Sequence, residues 1–420
     1  MCSRGRIPPP QQKISMNTSD YTPILLSFLA KYKSGHFTYD PNELEKLFES
    51  EVVAASKQFD LLNSPRTCSK HTYVSHWLRE VLDSDYISRD LQKVDLHANS
   101  NETYATAVSR YFSLLPLEKI EEVNKTVFEG DMLNQSNVWN SFNLPVDELN
   151  TAFISLAKAR NMLANDQSYA TIIDLHIEKN KIPQDSFDSF VSNVDSVIQE
   201  MRGKIPMNNN SISSKVVFSP PCSVCSLVNF PFDSLNQVTK YVIEKYPLLI
   251  PFEEKLTVEL GESTYMRYKK ETDNFIVTIN KRQNIRHQTL DLIHEIGHVI
   301  NYLDMFAKDL DPLSEGVYVS ELGGIRNQHE ILKSISSDLF HAYVNEILIL
   351  FWKVLFQIEL YLKPDQDIGE LYLQTYHRVF QTEVMLHRDL YLIDEYLLMK
   401  PLRSLPHAVA HFTVLGEREI

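Results

Sequence analysis

Residues Asp291–Leu303 have the sequence DLIHEIGHVINYL, the most informative segment of the chain. It contains His294, Glu295 and His298 in the order H-E-x-x-H. Residues four apart lie on one face of a helix, so both imidazoles can bind a single metal ion there. The carboxylate of Glu295 can then act as general base on a metal-bound water. The pattern predicts the zinc site of a hydrolase, provided that the segment is helical and a third ligand exists.

The composition favours a mainly α-helical protein. The chain has 420 residues, 43% of them hydrophobic, which is enough for a large core in one or two domains. It has only 11 glycines, fewer than the turns of a doubly wound or all-β protein of this size would need. The net charge of −14 and the pI near 5.5 argue against nucleic acid as a partner.

The longest apolar run, His341–Leu362, is interrupted by Glu346, Lys353 and Glu359. It therefore predicts a buried central helix and no membrane partner. No secretory signal opens the chain, so we expect a cytoplasmic protein. Residues 1–19 carry basic side chains and no acid, which leaves the mitochondrial matrix as an alternative. Cys222 and Cys225 form a lone C-x-x-C, and without a second pair we expect two loop cysteines.

Changes in composition along the chain divide it into four parts. Two β-like segments, Leu256–Leu260 and Asn274–Arg282, precede the H-E-x-x-H helix, which we expect over Thr289–Phe306. A loop is expected over Lys308–Gly324, followed by a helix from Ile325 toward Leu362. The predicted parts are a disordered tail (1–19), a helical N-terminal region (20–202), a loop or boundary (203–226) and a catalytic region (227–420).

A catalytic zinc needs three protein ligands and one open position. By distance along the chain, the candidates for the third ligand are Glu315, Glu321, Glu330 and Asp338. Glu330 falls one to two turns into the next predicted helix, which can hold a carboxylate rigidly. Glu321 lies just before Gly323-Gly324, where a helix break is expected. We therefore prefer Glu330, with Glu321 and Asp338 left open.

Four stretches resemble the thimet oligopeptidase family, which includes the mitochondrial intermediate peptidase and bacterial oligoendopeptidase F. The family's strand–turn–zinc-helix block is similar to NFIVTINKRQNIRHQTLDLIHEIGHVINYL in this chain. Of the four stretches, only this block is specific for the family. The other three cover an upstream helix pair, the segment of the third zinc ligand and a later helix: Leu156–Ile177, Gly323–Phe340 and Tyr376–Val384. The likeness covers roughly residues 150–415, and it makes the chain a divergent relative that ends early.

The resemblance implies a zinc metalloendopeptidase of the oligopeptidase type. Its fold would be mainly α, with a zincin-like catalytic region and a small β-sheet inside a large helical, channel-forming structure. His294, His298 and Glu330 would bind one Zn²⁺, and Glu295 would be the general base on the zinc-bound water. The substrate would be a short unstructured peptide, paired with the strand Asn274–Asn280. We expect a monomer whose partner is this peptide.

The C-terminal segment Leu402–Ile420 departs from the family pattern. Relatives have a histidine there, followed by tyrosines that bind the substrate and the oxyanion. His407 matches the histidine, whereas His411, Thr413 and Leu415 stand near the places of the tyrosines. We expect His407 and His411 to take over the catalytic role, with Tyr391 and Tyr396 as alternatives.

This departure leaves two other functions open. The chain could be a catalytically impaired relative that binds peptides or a partner protein, because one lost oxyanion donor costs about 10²–10³ in rate. It could also be a specialised endoprotease for one protein target, since the helical N-terminal half is divergent.

Overall fold

Helices make up most of the part of the chain that the structure describes, and a small three-stranded sheet accompanies them. The computed structural model describes residues 144–204, 231–261, 264–269, 272–281, 285–310, 316–381, 387–393 and 401–417, and five single residues, Ala107, Arg110, Tyr111, Leu114 and Leu397. The mainly α-helical class predicted from the sequence is confirmed.

Nine α-helices can be described in these ranges. They are α1 (Val146–Asn165), α2 (Ile172–Lys179), α3 (Gln184–Lys204), α4 (Leu235–Lys245), α5 (Ile285–Ala307), α6 (Val317–Ile335), α7 (Ser337–Leu362), α8 (Ile368–Phe380) and α9 (Leu405–Gly416). Two 3₁₀ helices cover Pro247–Lys255 and Leu390–Ile393. The strands are β1 (Leu256–Gly261), β2 (Tyr265–Lys269) and β3 (Asn274–Asn280).

The chain divides into two compact units. One contains α1 up to Ile172 together with Leu392–Pro401, and the other contains Ile173–Tyr391 and the chain from Leu402. Every candidate site residue that can be described belongs to the second unit. The boundary predicted at 203–226, with the C-x-x-C of Cys222 and Cys225, lies almost wholly outside the described residues and stays a prediction.

The sheet has the strand order β1-β3-β2, with β1 parallel and β2 antiparallel to β3. Phe275, Val277 and Ile279 of β3 are completely buried, as the alternation predicted, but Thr278 on the opposite face is buried as well. However, β3 is the central strand, and β1 and β2 use the hydrogen-bonding groups along both of its edges. The prediction that Asn274–Asn280 pairs with a peptide backbone is therefore wrong, because no edge of β3 is left for a further strand.

Two long helices follow the sheet and form the centre of the second unit. Helix α5 extends over Ile285–Ala307, longer than predicted, and it packs along α6. Helix α6 begins at Val317 and continues through Gly323-Gly324, so the predicted loop up to Gly324 is wrong. Both glycines are buried against α5, where the absence of a side chain is needed for packing rather than for a break.

The apolar run that the sequence assigns to a central helix lies in α7. Its Phe351, Trp352, Leu355 and Phe356 are almost completely buried, as expected for a core helix. Among the helices that can be described, none combines the length and the hydropathy that crossing a membrane requires.

Candidate metal centre

Helix α5 brings the two histidines of the H-E-x-x-H pattern together. Their rings lie with centroids 4.6 Å apart and planes at 86°, and the two Nε2 atoms are 3.1 Å apart. Glu295 is 8% exposed and His298 is 7% exposed, so both side chains are held in the protein interior. The helical spacing predicted for the motif is therefore present.

The carboxylate beside these histidines belongs to Glu321 on α6. Its Oε2 lies 3.4 Å from His294 Nε2 and 3.6 Å from His298 Nε2. Glu330, which the sequence analysis preferred, is exposed on the same helix. Nine residues at 100° each rotate a side chain by about 900°, which is half a turn beyond two full turns. Since Glu321 faces α5, Glu330 must face away from it, and the preference for Glu330 is corrected.

The close approach of α6 to α5 depends on glycines. A Cβ atom on Gly297 would collide with the carbonyl oxygen of Gly324, and one on Gly323 would collide with the side chain of Asn301. A Cβ atom on Gly324 would lie 2.8 Å from Cε1 and Nδ1 of His298. The two helices can therefore place Glu321 beside the histidines only because these positions have no side chain.

His407 enters the same cluster from α9. Its Nε2 lies 3.1 Å from Oε2 of Glu321, and its ring centroid lies 6.0 Å from that of His294. His294, Glu321 and His407 each offer one atom within 4.8 Å of the others, so they too form a possible metal-binding group. The rings of His294 and His407 are stacked at 25°, whereas those of His294 and His298 are nearly perpendicular. Lone pairs lie in the ring planes, so the perpendicular pair is better oriented to converge on one ion.

Burial and neighbouring charges together shift the pKa values of the groups in this cluster. Burial lowers the pKa of the His294 imidazole, but its interactions with Glu321 and Glu295 outweigh burial and raise that pKa to about 9. Burial raises the pKa of the Glu321 carboxyl, but His407, His294 and His298 together hold it well below its usual range. Burial raises the pKa of Glu295, which the two motif histidines lower only in part. Glu321 is therefore an anion, and Glu295 is a stronger base than an exposed carboxylate.

The distances within the cluster fit a tetrahedral metal ion. Ligand atoms about 2.0–2.1 Å from such an ion lie about 3.3–3.4 Å apart. The three separations among His294 Nε2, His298 Nε2 and Glu321 Oε2 are 3.1, 3.4 and 3.6 Å. Oε2 of Glu321 is buried, and the angles allow it no directional hydrogen bond. Three electron-pair donors that converge in this way are the environment that a divalent cation stabilises.

Two polar side chains of α6 support the histidines from behind. Ser320 Oγ lies 3.3 Å from Nδ1 of His298, and Gln328 Oε1 lies 3.1 Å from Nδ1 of His294. The sequence analysis missed both residues. Once Glu321 is placed, the position of Gln328 can be predicted, because residue i+7 on a helix returns to the face of residue i. The same rule does not apply to Ser320, which directly precedes Glu321.

The C-terminal residues expected near the substrate are arranged differently. His411 is 4% exposed and lies against His329 and Tyr343, with Nδ1 3.1 Å from His329 Nε2. It is thus placed behind the metal-ligand candidates, and the prediction that it touches substrate is not supported by this position. Thr413 Oγ1 lies 3.1 Å from the Tyr318 hydroxyl. Burial raises the pKa of Tyr391, which is packed against Phe356 and Tyr372 in the core.

Three further candidates of the sequence analysis cannot be placed. Glu315 and Tyr396 lie outside the described residues, and Asp338 is on α7 without a described side chain.

Comparisons with known proteins support the fold. No protein-family model and no curated protein sequence matches the chain. Among solved structures, a protein assigned as an oligoendopeptidase F aligns over 89% of this chain and 76% of its own, with 12% identity and a TM-score of 0.50. PZ peptidase A with an inhibitor aligns over 92% and 90%, with 11% identity and a TM-score of 0.47. A Pyrococcus furiosus carboxypeptidase aligns over 98% and 86%, with 11% identity and a TM-score of 0.43. The chain therefore has a fold similar to that of the oligoendopeptidase F structure, in agreement with the resemblance seen in its sequence.

Proposed function

We propose that the protein is a zinc-dependent metallopeptidase that hydrolyses peptide bonds in short, unstructured peptides. The observation that carries the proposal is the convergence of His294, His298 and Glu321, with separations of 3.1–3.6 Å, around the helix that also bears Glu295. Two imidazoles and a carboxylate form the ligand set of a catalytic zinc with an open fourth position. The shared fold with an oligoendopeptidase F structure supports a peptide as the substrate class.

Each polar residue of the cluster has a separate role in this proposal. His294, His298 and Glu321 would hold the ion, which when bound would acidify a water molecule and polarise the scissile carbonyl. Glu295 would take up the proton and deliver it to the leaving amine, a role for which its raised pKa suits it. His407 would donate a hydrogen bond to the developing oxyanion, since its Nε2 lies at the edge of the cluster, 3.1 Å from Glu321.

The test combines metal analysis with cleavage of an unstructured peptide library. Wild type should contain one zinc per chain and lose activity with a chelator. Glu295→Gln should retain zinc and lose about 10²–10⁴-fold in kcat, the contribution of a general base. Glu330→Gln is the matched control, because Glu330 is exposed on the far side of α6 and should leave both quantities unchanged. Wild type without zinc, or full activity in Glu295→Gln, would refute the proposal.

The C-terminal helix favours a second candidate, an impaired relative that binds peptides without efficient turnover. Two residues stand near the places where the family has tyrosines. His411 contacts His329 and Thr413 contacts Tyr318, so neither side chain is directed at the metal-ligand candidates. This leaves His407 as the oxyanion donor among the described residues of α9. His407→Ala separates the candidates: a loss of about 10²–10³-fold in kcat with zinc retained supports the peptidase. Peptide binding with no cleavage that depends on Glu295 supports the impaired relative.

A further inference from the structure

A buried row of side chains extends from the back of His294 into the interior of the second unit. Gln328 Oε1 lies 3.1 Å from Nδ1 of His294 and 2.9 Å from the hydroxyl of Tyr343. The same hydroxyl lies 3.4 Å from Nε2 of His411, whose Nδ1 lies 3.1 Å from Nε2 of His329. Gln328, His411 and His329 are 2%, 4% and 0% exposed, so water does not compete for these hydrogen bonds.

The orientation of the Gln328 amide decides the direction of the first hydrogen bond. Its Nε2 donates to the carbonyl oxygen of Leu290 at 3.4 Å, an atom that can only accept. The amide oxygen therefore faces His294 and accepts a hydrogen bond from Nδ1–H. When Nε2 gives up its proton to bind a metal, His294 is therefore held as the Nδ1–H tautomer, with the lone pair of Nε2 directed at His298 and Glu321.

The remaining hydrogen bonds all run toward the same acceptor, Oε1 of Gln328. The Tyr343 hydroxyl donates its proton to Gln328, so it must accept from Nε2–H of His411. Nδ1 of His411 then has a lone pair and accepts from Nε2–H of His329. Each group is thus a donor or an acceptor as its neighbour requires, and the Tyr343 hydroxyl, like the Leu290 carbonyl, holds the Gln328 amide oxygen toward His294.

We propose that this row, Gln328–Tyr343–His411–His329, is a positioning device that holds His294 in its metal-binding tautomer and ring orientation. Gln328 acts directly on His294, and Tyr343 acts through Gln328. The inference rests on the proposed function, since it assigns a role to groups behind a metal ligand. Histidine ligands usually donate their second nitrogen proton to such a partner, and losing that partner costs about 10–100-fold in metal affinity.

The experiment measures zinc affinity by chelator competition in the full chain. Gln328→Leu keeps the approximate size of the side chain but removes the acceptor, and we expect zinc to bind about 10–100-fold more weakly. Gln328→Glu keeps an oxygen opposite Nδ1 and should recover most of that affinity. With Co²⁺ in place of zinc, the visible spectrum of Gln328→Leu should differ from wild type, while that of Gln328→Glu should match it.

Tyr343→Phe tests the hydrogen bond from Tyr343 to Gln328. It also provides a test if Gln328→Leu fails to fold. Alone it should weaken zinc binding less than Gln328→Leu does. Added to Gln328→Leu it should cause no further loss, because Tyr343 acts through Gln328. Tyr376→Phe is the matched control, since Tyr376 is also buried but packs on Trp352. Equal thermal stability of the metal-free variants shows that a loss of zinc is not a loss of fold.

The outcomes separate this inference from the proposed function. If wild type binds no zinc, the proposed function fails and the inference fails with it. If wild type binds zinc and cleaves peptides, but Gln328→Leu weakens zinc binding by less than about fivefold, the inference alone is overturned. The same holds if Gln328→Leu and Gln328→Glu lose affinity equally, because the acceptor oxygen would then be irrelevant.

Discussion

Glu321 and Glu330 show how one error in a helix boundary changes the assignment of a site. The sequence analysis placed a break at Gly323-Gly324 and so preferred the carboxylate inside the following helix. Helix α6 continues through the position of the predicted break. Glu321 and Glu330 therefore lie on one helix, and only one of them can face α5. The carboxylate that lies 3.4–3.6 Å from the motif histidines is that of Glu321.

Removing Glu321 should therefore abolish tight zinc binding. Glu321→Ala deletes an anionic ligand, and we expect a larger loss of affinity than the 10–100-fold of a lost supporting hydrogen bond. Glu330→Ala should bind zinc as wild type does. Metal analysis after dialysis against a weak chelator measures both, and zinc retained in Glu321→Ala but lost in Glu330→Ala would restore the original preference.

Zinc binding should also release a proton from His294. In the metal-free protein its pKa is raised to about 9, so below that pH the imidazole carries a proton that the metal must displace. At pH 7.5 we expect about one proton released per zinc, and affinity that increases as the pH rises toward 9. Calorimetry in buffers of different ionisation enthalpy measures the release. Affinity independent of pH between 7 and 9 would contradict it.

At the scale of elements, the contact between α5 and α6 decides whether a site exists. The sequence shows the amphipathic period of each helix, but it does not show how closely the two helices approach each other. That approach depends on Gly297 and Gly324, where a Cβ atom would meet backbone or a ligand ring. Glycine occurs both where a helix ends and where two helices approach closely. The sequence is the same in the two cases, and only the packing of the helices distinguishes them.

Gly297→Ala should therefore be destabilising although alanine is the better helix former. The added Cβ would collide with the backbone of Gly324, and overpacking of this kind typically costs about 1–3 kcal/mol. Gly203→Ala is the matched control in α3, where a Cβ would meet no described atom within 4 Å, and it should stabilise by about 0.5–1 kcal/mol. Denaturant unfolding of both variants measures the difference. Equal effects would show that α5 and α6 can separate without cost.

At the scale of the whole molecule, the candidate site is built from two consecutive helices, α5 and α6, and from α9, which is distant along the chain. Glu321 and His407 are 86 residues apart (407 minus 321), yet their side chains lie 3.1 Å from each other. An ion held between α5 and α6 adds a link between elements that already contact through packing and hydrogen bonds. Binding it should consequently stabilise the second unit.

We expect zinc to raise the thermal transition of wild type. At a free concentration of a hundred times Kd, a ligand that binds only the folded state stabilises by about 2.7 kcal/mol. Glu330→Ala should show the same rise, and Glu321→Ala should show little or none. Calorimetric scans with and without zinc test this, and an equal rise in Glu321→Ala would place the ion elsewhere.

Composition and local periodicity were enough to predict the helical class, the H-E-x-x-H helix and the strand before it. They could not determine the third carboxylate, the central position of β3 or the burial of His411. These three features depend on which faces of separate helices and strands pack together, and no local sequence pattern predicts that packing. Tertiary packing selected Glu321 over Glu330 and placed Gln328 behind His294, because a rigid helix presents only one face to its neighbour.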